Sequence, residues 1–160
     1  MRTSFAILTL MLLVGCQYNP YARLFTTTQP KQEDIAVSYL LTQQTITPGG
    51  LGVLKGQQCV LDLRGDGTFS VTNYPIWTEA FSPTNGQFVA SISATGRWSC
   101  DTVGTVSDGS TSQSYWGVRL SDAGTQLGSL ALTGKTPPYG LIMTYGDPDN
   151  GTVMIFERRK

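Results

Sequence analysis

Leu61-Asp62-Leu63-Arg64-Gly65-Asp66-Gly67-Thr68-Phe69-Ser70-Val71 is the stretch that decides the fold. Apolar side chains stand at Leu61 and Leu63 and again at Phe69 and Val71, with Gly-Asp-Gly between them. A period of two is the signature of a strand with one buried face, and glycine and aspartate supply the turn conformations that join two such strands. The segment therefore reads as an antiparallel hairpin.

The same alternation recurs outward from it. Val37-Tyr39-Leu41 precedes it with Cys59-Leu61-Leu63, and Phe88-Ala90-Ile92, Trp98-Cys100, Trp116-Val118-Leu120, Leu130-Leu132 and Leu141-Met143-Tyr145 follow. Val153-Met154-Ile155-Phe156 is apolar on both parities, so it is expected to be buried on both faces or to lie at a seam. Turn chemistry separates many of these runs: Ser107-Asp108-Gly109, Ser121-Asp122-Ala123-Gly124 and Asp147-Pro148-Asp149-Asn150-Gly151. No window sustains a helical stripe. The expectation is an all-β domain, an antiparallel barrel or sandwich of about eight or nine short strands.

Two further runs sharpen this reading. Leu61 to Phe69 with its Gly-Asp-Gly turn, followed by Gly96-Arg97-Trp98, resembles the strand, turn, strand and G-x-W pattern of small lipocalin-like domains. That resemblance implies a meander. It carries over no functional residue.

The N-terminus is of a different kind. Arg2 precedes the apolar run Phe5-Ala6-Ile7-Leu8-Thr9-Leu10-Met11-Leu12-Leu13-Val14, far shorter than the roughly 20 residues a membrane-spanning helix needs. It reads as the core of a signal peptide. The run ends in Leu13-Val14-Gly15-Cys16, which resembles the lipobox of bacterial lipoproteins. The resemblance implies removal of residues 1–15 and a lipid-bearing, acylated Cys16 as the first residue of the mature chain. In Gram-negative lipoproteins an aspartate after that cysteine signals inner-membrane retention; Gln17 stands there instead, so the resemblance implies the outer membrane if the cell is Gram-negative.

Three regions follow from this: a signal peptide at 1–15, a lipidated cysteine with a flexible tether at 16–34, and one β domain at 35–160. The tether reading rests on polarity, Pro20, Pro30 and Thr26-Thr27-Thr28. As a flexible coil such a segment would reach on the order of 20–25 Å. With Cys16 lipidated, Cys59 and Cys100 remain; both share parity with core residues, so a Cys59–Cys100 disulfide is expected in an oxidising compartment.

Composition removes several functions. Lysine plus arginine equals aspartate plus glutamate at 11 each, which leaves no concentrated basic surface for nucleic acid. The chain has no histidine, which excludes Ser-His-Asp and Cys-His catalysis and histidine-based zinc sites. Neither phosphate-binding glycine motif occurs between a strand and a helix. Asp66, Asp108, Asp122, Asp147 and Asp149 sit in expected turns, where an aspartate is explained by bonding to the backbone. The cluster at 147–151 does not continue as an EF-hand loop, because Thr152 and Arg158 stand where glycine and glutamate would be required. No catalytic residue, metal or cofactor is expected.

One connector is unusually apolar: Asn73-Tyr74-Pro75-Ile76-Trp77-Thr78-Glu79-Ala80-Phe81. Tyr74, Ile76, Trp77 and Phe81 read either as a contact loop at a barrel mouth or as a plug folded back onto the core. The functional expectation is a membrane-anchored, non-catalytic binding module for an apolar ligand or an envelope partner. The alternatives are an envelope structural protein or an inhibitor of a secreted hydrolase, and then a carboxylate-based enzyme.

Overall fold

The structure is a computed structural model and describes residues 19–78, 85–107, 110–122 and 127–160. Among these residues eight strands form: β1 Ser38–Gln44, β2 Val60–Leu63, β3 Thr68–Trp77, β4 Phe88–Ser107, β5 Ser112–Ser121, β6 Ser129–Thr133, β7 Gly140–Thr144 and β8 Val153–Arg158. Each pairs antiparallel with the next, and β8 returns to β1 through Leu40↔Glu157 and Leu41↔Phe156. The sheet thus closes into a barrel in sequence order. An eight-stranded barrel has an interior just wide enough to be filled by side chains. Here Tyr39, Leu61, Phe69, Val118, Leu130, Leu141, Met154 and Phe156 fill it, all of them fully buried.

The Gly-Asp-Gly hairpin forms between β2 and β3. Gly67 takes a positive φ of 78°, and the Asp66 carboxylate accepts the Thr68 amide at 2.9 Å and its hydroxyl at 2.7 Å. Trp98 clasps this turn from β4: its backbone amide donates to Gly67 O at 2.8 Å and its indole to Arg64 O at 2.9 Å. At the other end of the chain, β8 is the seam. Val153 and Met154 are both buried, so this strand is covered on both parities.

Two expected strands merge. Phe88-Ala90-Ile92 and Trp98-Cys100 are parts of the twenty-residue β4. Gly96, which could have marked a break, is instead a close approach: a Cβ there would lie 2.2 Å from Ser121 O and 2.8 Å from the Phe69 ring. β3 in turn runs further than its alternation shows. A bulge between Val71 and Tyr74, with Asn73 at φ 53°, resets the parity so that Tyr74 faces inward, and a second register shift between Ile76 and Trp77 does the same for Trp77.

Residues 19–34 correct the expectation of a flexible tether. Phe25 and Thr26 are buried, and the segment wedges between β5 and β6 where those strands part. Thr26 N donates to Leu132 O at 2.9 Å, Trp116 N to Thr26 O at 2.8 Å and Gly134 N to Leu24 O at 2.9 Å. The Phe25 ring stacks on Tyr115 at 4.3 Å, and Thr26 Oγ1 donates to Gly134 O at 2.7 Å. A short helix α1, Gln32–Ile35, then delivers fully buried Ile35 to the core. Once Phe25 gives a polar segment an anchor and the gap between β5 and β6 gives it backbone partners, docking satisfies its amides as well as water would.

Candidate functional site

Cys16 and Phe81 lie outside the described residues. The other members of the expected contact loop belong to β3, and the structure corrects the loop to a strand whose aromatic rings face inward. Tyr74 and Trp77 are buried, while Ile76 is partly buried against the core. The Tyr74 hydroxyl bonds to Met143 Sδ on β7. The Trp77 indole reaches Met154 Sδ on β8 at 3.4 Å and packs edge-on against Phe88 with ring centroids 5.8 Å apart. Tyr145 donates its hydroxyl to Trp77 O at 2.7 Å. Burial raises the Tyr74 phenol far above its ordinary range. β3 therefore touches β7 and β8 across the interior, and Tyr74 and Trp77 act as the plug.

Cys59 and Cys100 are separate free thiols, which corrects the expected bridge. Shared parity puts both on the core side but says nothing of their height along the barrel. Val60 pairs with Thr72 and Val71 with Ala94, so Cys59 is level with β4 near Ser93. Cys100 sits further along β4, opposite Val118. That offset is roughly 20 Å along the strand, whereas a disulfide needs Cα atoms within about 7 Å.

Burial pushes the Cys59 thiol up to about 12, and Cys100 is raised too, by burial and then by the neighbouring Asp101 charge. Cys59 at pH 8 is then almost entirely the unreactive thiol. Alkylation of the native protein without reductant is expected to label Cys100 first and Cys59 only on unfolding. Peptide mapping that recovers a Cys59–Cys100 linked pair would contradict this geometry.

Asp108 lies outside the described residues, and two of the other turn aspartates, Asp66 and Asp147, are engaged locally. Hydrogen bonds from the Thr68 side chain and backbone hold the Asp66 carboxyl below its usual range. Asp147 caps the 3₁₀ turn Pro148–Asn150 by accepting the Asp149 amide at 3.0 Å. Asp101 pairs with Arg119 at 3.1 Å on the exposed face. Among the described residues no three histidine, cysteine, aspartate or glutamate side chains converge as a metal site would require.

What the sequence reading missed is an open groove of about 370 Å³ on the barrel, lined by Val53, Leu54, Lys55, Gln57, Asn73, Phe88, Ala90 and Ser91. The 3₁₀ turn Gly50–Leu54 forms one wall, and the β3–β4 hairpin forms the other. Asn73 is held in place by a bond from its amide to Gln58 O at 3.1 Å. One ammonium, two amides, the Ser91 hydroxyl and a few apolar groups can bind a ligand but offer no carboxylate pair. A sequence signal for it exists only in hindsight, in the break of alternation at Asn73.

The chain matches no family model, and no characterised protein and no solved structure is significantly similar to it. The fold and its side chains define a class nonetheless: an eight-stranded antiparallel meander closed into a barrel, with side-chain contacts spanning its interior.

Proposed function

We propose that this protein is a lipid-anchored, non-catalytic binding module of the bacterial envelope that acts through its outer surface on an envelope partner. The observation that carries the choice between surface and interior is the contact of Tyr74 with Met143 and of Trp77 with Met154. Opposite walls that touch leave the interior to the protein's own side chains, and a carrier of apolar ligands needs that space. The anchor reading comes from Leu13-Val14-Gly15-Cys16 after an apolar run too short to span a bilayer. Two or three acyl chains on Cys16 would make attachment effectively permanent, and Gln17 favours the outer membrane.

An inhibitor that inserts the segment 74–81 as a free loop is disfavoured, because Tyr74 and Trp77 are buried in a strand. Native mass spectrometry of the protein, extracted from its host's membranes in mild detergent, tests the reading. The expected species carries lipid on Cys16 and retains a protein partner. A retained small apolar molecule would favour the carrier, and the mass of an unlipidated chain would remove the anchor. Cys16→Ser is expected to abolish membrane attachment completely, read by fractionation.

A further inference from the structure

The docked N-terminal segment changes where an anchored barrel must sit. We propose that the face carrying Pro20, Arg23, Leu24 and Lys135 rests directly on the bilayer, with Leu24 among the headgroups and the two cations on anionic lipid phosphates. The inference rests on the reading of Cys16 as the lipid-bearing residue.

Only Gln17 and Tyr18 separate Cys16 from Asn19. From Asn19 onward the chain is fixed to the barrel. Asn19 accepts the amides of Tyr21 at 2.8 Å and Ala22 at 3.1 Å, and the Pro20 ring packs on Gly151, 3.2 Å from where a Cβ there would lie. Three Cα steps reach at most roughly 10 Å. That is short beside a domain whose radius of gyration is about 14 Å, so the face around Asn19 is held within that distance of the surface.

The chemistry next to that exit suits a bilayer. Leu24 is 50% exposed, one of two exposed large apolar residues among the described residues. Its carbonyl accepts the Gly134 amide, in register with the Phe25↔Thr133 bridge. Arg23 precedes Leu24 on the 3₁₀ turn Ala22–Leu24, Lys135 follows Gly134, and both cations are exposed. An exposed leucine with two cations beside it suits an interfacial contact. Each cation near an anionic surface contributes about fivefold in partitioning. The acids nearest in sequence to Gly151 are Asp147 and Asp149 on the β7–β8 turn, both exposed, with the Asp147 carboxylate accepting the Asp149 amide.

Hydroxyl-radical footprinting of the full lipidated protein tests this, on vesicles of phosphatidylethanolamine with phosphatidylglycerol. A variant with a long Gly-Ser spacer between Tyr18 and Asn19 serves as reference. Oxidation of Leu24 is expected to fall about threefold or more relative to the spacer variant, while Val89, the other exposed apolar residue, stays unchanged. R23E combined with K135E should restore Leu24 oxidation on these vesicles while the protein still floats with them. A protein that floats with Leu24 as reactive as in the spacer variant overturns the contact alone. A protein that does not float and carries no lipid on Cys16 overturns the contact and the anchor together.

Discussion

Phe69→Ala is expected to cost about 3–5 kcal/mol, toward the upper end of that range. Phe69 is fully buried on β3, and its ring occupies the space that a side chain at position 96 would take, 2.8 Å from a Cβ built on Gly96. Gly96 has no side chain to move into the hole, and its backbone is held in the β3–β4 ladder opposite Phe69. Truncation therefore leaves a cavity that neighbours cannot close. Domains of this kind are stable by only about 5–15 kcal/mol. A urea midpoint followed by tryptophan fluorescence should drop by roughly 2 M, taking a slope near 1.5–2 kcal/mol/M. A drop below about 0.5 M would mean that the ring does not support the Gly96 crossing.

Phe25→Ala is the second large effect, and it separates a docked segment from a tether. Loss of the nearly buried ring and its stack on Tyr115 should cost about 2–3 kcal/mol. A residue in a free linker would change stability by no more than about 0.5 kcal/mol. Hydrogen exchange gives the complementary reading. The amides of Thr26, Trp116 and Gly134, which all bond across this wedge, should exchange faster in the variant, while those paired between β2 and β3 keep their protection. Unchanged stability would return residues 19–26 to the tether.

These two residues also show what could be read from the chain and what could not. The hairpin around Gly-Asp-Gly, the meander and the seam at β8 were legible because each rests on local signals: alternation, turn chemistry and a run apolar on both parities. Asn73 and Gly96 were not, because both act on tertiary neighbours. A bulge shifts parity without changing composition, and a glycine required by a close crossing looks the same as one in a turn. Phe25 lies in a polar stretch whose partners, Trp116 and Leu132, are far away in the chain. The cysteines fail for a related reason, since parity gives a face while register gives a height. The groove beside the Gly50–Leu54 turn exists only where separate elements meet.

The closure of β1 on β8 has a kinetic consequence. Every other pairing in the barrel joins neighbours in the chain, so hairpins can form in microseconds and in any order. Among the strand pairings, that of Leu41 with Phe156 spans nearly the entire domain, and its loop-closure entropy, like that of docking residues 24–26 on Leu132 and Gly134, makes it a late event. A chain made N-terminus first cannot complete this step until β8 is free. Until then β1 and β7 present bare edges open to pairing with other chains. Such an intermediate has to be kept apart from its copies until β8 arrives to cover both edges.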